Sequence, residues 1–154
     1  HLAAAGRQTR PERTWEIMKS LVQKELAVVA ITFLDEQPLA AALIDTYQQK
    51  AYYQSGATLP EFERTRGLGH WLHWHIIEYL QERGFSHYEM GWNWYPNISE
   101  EVADAKMLGI SRFKAGFGGE STPYFRGEYF TDPEHMKQVY LQRINHYFQN
   151  RSPS

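Results

Sequence analysis

Between Thr14 and Glu25 the apolar residues Trp15, Ile17, Met18, Leu21 and Val22 gather on one face at a helical period. A first helix is expected there. The period then changes. Leu26 to Leu34 is almost wholly apolar and rich in β-branched side chains, Asp35-Glu36-Gln37-Pro38 interrupts it, and Leu39 to Tyr47 runs apolar again before Gln48-Gln49. This pattern predicts a strand meander covered on both faces. Lys50 to Thr58 extends it, with Tyr52 and Gln54 on one side, Tyr53 and Ser55 on the other, and Gly56 where a bulge or a close backbone approach belongs.

After a linker around Pro60 to Gly69, the spacing predicts a helix from His70 to Arg83, stopped by Gly84, and a further strand from Ser86 to Trp92. Ser99, followed by Glu100 and Glu101, has the chemistry of a helix start because acids offset the exposed amide dipoles; Gly109 is expected to end that helix. Thr122 to Phe130 has the composition of a strand. Asp132-Pro133-Glu134 then supplies an N-cap, a first-turn proline and a first-turn acid for a last helix whose apolar stripe is Met136, Val139, Tyr140, Ile144, Tyr147 and Phe148. Pro153 and its polar neighbours suit a frayed end. The expected class is α/β (α+β), a single domain over 1–154 with its core fold at 11–131 and a C-terminal helix at 132–149.

Composition sharpens this picture. The chain has 154 residues, 42% hydrophobic and 15% aromatic, which suits one compact domain with a substantial core. A formal net charge of -2 gives no general basic field, so a phosphate-bearing partner needs a local patch. The absence of cysteine excludes disulfides, a thiolate nucleophile and Cys-ligated metal sites, and it favours the cytoplasm. No apolar run approaches the about 18 residues of a membrane span, and a signal-peptide pattern is missing. There is no Ser-His-Asp signature and no pair of carboxylates at an interpretable spacing, which argues against a hydrolase. The sequence opens at His1 rather than Met, so a processed chain or a piece of a longer one is expected.

Candidate chemistry concentrates in Gly109-Ile110-Ser111-Arg112-Phe113-Lys114-Ala115-Gly116-Phe117-Gly118-Gly119, where one lysine stands between two aromatics in a glycine-rich segment. Such a lysine can be held against a reacting carbonyl or a phosphate. The same stretch also suits a helix end with Lys114 in solvent and Phe113 and Phe117 in the core. Arg64-Thr65-Arg66-Gly67-Leu68-Gly69 places cations and glycines before a helix, where backbone amides and the helix dipole favour a phosphate; a plain helix-entry loop is the alternative. His70, His73, His75 and Glu78 do not converge on a metal ion. His73 and His75 project about 160° apart, and His73 falls on the buried arc with Leu72, Ile76, Ile77 and Leu80. His70 and Trp74 share a face that could line a cleft. The rings of Trp92-Asn93-Trp94-Tyr95-Pro96 suit stacking on a base, a sugar or a pantetheine arm, with Asn93 as a polar contact, or simple packing. Glu89 and Tyr88 are candidate proton-transfer groups on opposite sides of their strand, so at most one reaches the reacting atoms.

The order helix, three-strand meander, glycine-containing loop, helix, strand, helix, strand resembles the GNAT acyltransferase fold, which implies a mixed, mainly antiparallel central sheet flanked by helices. Ala51-Tyr52-Tyr53-Gln54-Ser55-Gly56-Ala57, the Trp71-Leu72-His73-Trp74 helix, Tyr88-Glu89-Met90-Gly91 and Arg112-Phe113-Lys114-Ala115-Gly116-Phe117-Gly118 together resemble its Fem-type branch. That likeness implies transfer of an aminoacyl or acyl group to an amine borne by a small molecule or peptide. Lys114 would steady the oxyanion, and Phe113 would shape the acyl pocket. Tyr52, Tyr53, Ser55, Trp92, Asn93 and Arg112 would border substrate, and Arg64, Arg66, Gly67 and Gly69 would hold donor phosphates. Aminoacyl-tRNA is the donor implied by the Fem-type branch and acyl-CoA the donor implied by the Arg64–Gly69 loop, with no tightly bound cofactor. Fem-type enzymes pair two GNAT-like halves, whereas this chain has room for one and most resembles the second. Glu89 also stands where such proteins often carry Asp. A non-catalytic GNAT-like module that binds through its tryptophans is the rival expectation.

Overall fold

The computed structural model describes residues 2–63, 65, 67–95 and 103–149. They belong to two compact units, 1–91 and 92–154. The first contains α1 (Leu2–Ala5), α2 (Glu12–Gln23), β1 (Ala27–Leu34), β2 (Gln37–Tyr47), β3 (Lys50–Thr58), a 3-10 turn (Pro60–Phe62), α3 (Leu68–Glu82) and β4 (His87–Glu89). The second contains α4 (Ala105–Ala115) and α5 (Pro133–Gln149). No helix among the described residues is long and apolar enough to cross a membrane.

The sheet has the order β1-β2-β3-β4. Its first two pairings are antiparallel, and β4 runs parallel to β3. It is the mixed, mainly antiparallel sheet expected from the sequence. Leu34 pairs with Gln37, so Asp35 and Glu36 alone make the first turn, with φ of 46° and 65°. Left-handed backbone at both positions matches the twist of a two-residue hairpin. Parallel pairing of β3 with β4 needs a crossover, and α3 supplies it.

Small residues set the distance between α3 and the sheet. Ala40, Ala42 and Ile44 of β2 and Ala51 of β3 are buried against Leu72, Ile76 and Leu80 of α3. Tyr53, Tyr79, Phe85 and Tyr88 pack around this layer. The opposite side of β1 is less covered, since Val29, Ile31 and Phe33 are 45%, 45% and 57% exposed, so the expected cover on both faces is not met there. α2 packs against β1 and buries Met18.

A bulge in β3 corrects the expected alternation. Leu43 pairs with Ser55 and Ile44 with Tyr53, which leaves Gln54 as an extra residue. Ser55 therefore shares the side of Tyr52, opposite α3, while Tyr53 and Gly56 face α3. The ring of Tyr53 folds back along its own strand, and a Cβ built at Gly56 would collide with the phenol oxygen and lie 3.0 Å from Cζ. Gly56 marks both the bulge and the close approach.

Three other expectations are revised. The strand expected over Ser86 to Trp92 stops at Glu89, because Gly91 turns left-handed at φ 76°. Gly109 does not end a helix: α4 begins after Asp104, whose Oδ1 accepts from the amide of Met107 at 2.7 Å, and continues through Gly109 to Ala115. The expected start at Ser99 and the frayed end around Pro153 lie outside the described residues. Thr122 to Phe130 forms no strand; Pro123 lacks an amide donor, and Glu128 is engaged by both guanidinium nitrogens of Arg143 at 2.7 Å. The last helix matches its expected bounds, with Asp132 Oδ1 accepting from the amide of Glu134, but none of its residues is buried.

Gly56→Ala is expected to lower unfolding free energy by about 1–3 kcal/mol through overpacking against Tyr53. Urea denaturation should show most of that loss recovered in Gly56→Ala combined with Tyr53→Phe.

Candidate active site

β3 and β4 remain paired for only three residues on each strand, Lys50, Ala51 and Tyr52 opposite His87, Tyr88 and Glu89. Beyond Tyr52, β3 continues to Thr58 with β2 on one edge, while β4 has ended. The result is a fork whose β3 edge carries backbone donors and acceptors unmatched by a β4 partner. Tyr53, Ser55 and Gly56 belong to the open part; Tyr52 and Glu89 stand opposite each other at its closed end.

On the α3 side of the closed end, His73 is 3% exposed and its Nδ1 lies 2.9 Å from the hydroxyl of Tyr88. Tyr53 meets the same imidazole edge-on, with ring centroids 4.6 Å apart. Burial, with a smaller contribution from neighbouring His70, lowers His73 to about 4. Burial and the neighbouring Tyr53 raise Tyr88, and burial also raises Tyr53. The cluster is therefore neutral near pH 7. His73 is the core histidine that its helical position predicted, whereas His75 is exposed and bonds Glu78 at 2.8 Å.

On the other side lies the cross-strand row Ala27, Asp45, Tyr52, Glu89. Tyr88 and Glu89 do face opposite sides, as alternation requires. Asp45 Oδ1 is buried without a hydrogen-bond partner among the described residues, and burial raises its pKa. The lone acid within the apolar Leu39–Tyr47 run was its only sequence signal. Arg10, just before α2, stands in no motif that would mark it in the sequence. Its Nη1 donates to Ser55 Oγ at 3.1 Å, and its guanidinium carbon lies 5.4 Å from the centre of the Trp15 ring.

Gly67 stands at φ 86° before α3, and no side chain among the described residues caps that helix. Gly69 is in its first turn. Arg64 and Arg66, expected to hold phosphates with them, lie outside the described residues.

In the second unit, Phe113 and Lys114 occupy the last turn of α4, and Arg112 is exposed beside them. Lys114 Nζ donates to the carbonyl of Trp92 at 2.7 Å, and burial lowers its pKa. Phe113 and Phe117 meet edge-on with centroids 5.3 Å apart. This is the helix end foreseen as an alternative, but with its lysine half-buried and anchored. Ser111 Oγ accepts from the amide of Trp94 at 2.7 Å, and Asn93 Nδ2 donates to Ser121 Oγ at 3.2 Å. Asn93 Oδ1 is buried without a hydrogen-bond partner among the described residues. Trp92 itself is 61% exposed.

The sequence matches the Acetyltransferase (GNAT) domain profile over residues 3–126, and the chain belongs to that family. An aminoglycoside acetyltransferase, meta-AAC0020 from an uncultured soil metagenomic sample, solved with trehalose, aligns with TM-score 0.60 and 15% identity over 84% of this chain and 82% of its own. The ribosomal-protein-S18-alanine N-acetyltransferase of Escherichia coli aligns with TM-score 0.52 and 21% identity over 73% of this chain and 63% of its own. AAC(6')-Iy, solved with the bisubstrate analogue CoA-S-monomethyl-acetylneamine, aligns with TM-score 0.52 and 14% identity over 78% of this chain and 82% of its own. This chain thus spans less than two thirds of the Escherichia coli enzyme. No curated protein matches the sequence significantly.

The cluster around His73 predicts a specific acid response. Its folded pKa lies below the unfolded value of about 6.5, so the unfolded chain binds more protons between about pH 6.5 and 4. The stability conferred by neutral His73 is fully present above that window and is lost as pH falls through it, a change of about 3 kcal/mol for a fall from 6.5 to about 4. Denaturant titrations at several pH values should show this slope, and His73→Phe should remove it.

Proposed function

We propose that this chain transfers an acyl group from an acyl-CoA thioester to a primary amine. The observation that carries the reading is the β3–β4 fork, whose β3 edge, unpaired by β4 beyond Tyr52, suits an extended arm containing amides. Such an arm adds to a sheet edge through main-chain hydrogen bonds. Gly67, Gly69 and the start of α3 offer amides to the donor's pyrophosphate, and Arg64 and Arg66 supply charge. Family membership and the solved acetyltransferases with this fold support the same class. One of those structures holds a CoA-based bisubstrate analogue.

In this mechanism the neutral amine attacks the thioester carbonyl, forming the new C–N bond and a tetrahedral oxyanion. Glu89 takes the proton released by the amine. Collapse of the intermediate breaks the C–S bond and releases the thiol after protonation of its sulfur. Lys114 steadies the oxyanion and Phe113 shapes the acyl pocket. An anchored, partly desolvated ammonium with two remaining N–H donors suits that role. The candidate substrate contacts on β3 are Tyr52, Tyr53 and Ser55; those on the second unit, taken by itself, are Trp92, Asn93 and Arg112. Phe113-Lys114 is also the feature most like the Fem-type branch, which makes aminoacyl-tRNA the competing donor.

Equilibrium binding separates the donors: the pure chain should retain acetyl-CoA, and capture of a charged-tRNA end mimic without acetyl-CoA would reverse the assignment. With acetyl-CoA and an amine, Lys114→Ala should lower kcat by about 100- to 1000-fold. The KM for acetyl-CoA should change little, and unfolding free energy should fall by less than about 2 kcal/mol. Unchanged turnover would remove Lys114 from the mechanism.

A further inference from the structure

We infer that Arg10 is a specificity residue that receives a carboxylate on the acceptor, so that the preferred acceptor is an amine that also carries a carboxylate, of the amino-acid or peptide class. The inference rests on the acyl-transfer reading for the role of the amine, but its charge argument stands on Arg10 itself.

The guanidinium is fixed at two points. Ser55 Oγ takes one N–H at 3.1 Å, and the Trp15 ring lies against the group at 5.4 Å. A cation–π contact restrains the guanidinium while leaving the N–H donors that Ser55 does not use available. Arg10 is partly buried, yet no carboxylate among the described residues forms an ion pair with it; the acid in the next turn, Glu16, is taken by Arg13 at 3.1 Å. A partly desolvated, restrained cation without a counter-ion among the described residues favours an anion that arrives from outside.

Its position selects which anion. Ser55 lies in the open part of the fork and, because of the bulge at Gln54, on the side away from α3. Donor phosphates belong at the start of α3, where Gly67 and Gly69 lie. The opposite side of β3 is left for the acceptor, and Arg10 stands on that side with Tyr52 and Glu89. One guanidinium balances one negative charge and matches a carboxylate through paired N–H donors, whereas a phosphate dianion would leave one charge unmet.

The test uses L-alanyl-L-alanine and its C-terminal amide, which share an amine and differ in the carboxylate, titrated into the 15N-labelled full chain by NMR. The acid should bind at least about tenfold more tightly than the amide, in the range of one charge-assisted hydrogen bond, and should shift the Arg10 Nε–H and Ser55 amide signals. Arg10→Met should bind both equally, and Arg10→Lys should keep an intermediate preference. Equal binding by the wild type, a preference that survives in Arg10→Met, or no binding of either peptide would overturn the assignment. Acetyl transfer from acetyl-CoA to the same peptides is measured separately. If the binding preference holds but neither peptide is acetylated, the acyl-transfer reading fails and the carboxylate site stands.

Discussion

The contact between His73 and Tyr88 links α3 to β4, and the fork depends on where β4 lies. Three paired residues are too few to fix a parallel edge strand by backbone bonding alone. The strand is steadied at two points: at its entry the amides of Ser86 and His87 donate to the carbonyl of Gln49 at 2.9 and 3.3 Å, and at its middle Tyr88 reaches the imidazole. The bond is possible because alanines at 40, 42 and 51 let the helix lie close to the sheet. Burial holds the histidine neutral, which avoids the larger cost of a desolvated imidazolium.

Two kinds of polar group are left incompletely satisfied by the fold. Among the described residues, Asp45 and Asn93 each place an oxygen out of reach of water and without a hydrogen-bond partner, and Arg10 has no ion-pair partner. Each arrangement is less stable than a paired one. Lys114 shows the intermediate case, with one donor committed to the Trp92 carbonyl.

Much of the first unit was legible in the sequence because its signals are local. The apolar runs gave β1 to β3, and the period of Leu72, His73, Ile76 and Leu80 gave the buried arc of α3; in the second unit, Asp132-Pro133 gave the start of α5. The errors arose where local rules compete with longer-range ones. Gly109 resembled a helix stop, yet the Asp104 cap starts a helix that continues through it, and no neighbouring atom among the described residues explains the glycine there. Thr122 to Phe130 had strand composition but acquired no ladder partner. In the candidate site, the placement of Tyr52, Tyr88 and Glu89 followed from periodicity. Arg10 and Asp45 did not, because their significance lies in which partners they have or lack, and no spacing rule reports that.

Gln54 has one more consequence. By occupying a place with no counterpart on β2, it reverses the inside–outside parity of everything that follows it in β3. Tyr52 and Ser55, an odd number of positions apart, thereby look the same way, and the arginine-bearing flank of the sheet gains a hydroxyl. A single-residue insertion or deletion at this point would exchange the two surfaces of the open strand without touching any of its side chains. Changes of ligand preference among forks of this design can therefore arise from chain length as readily as from chemistry.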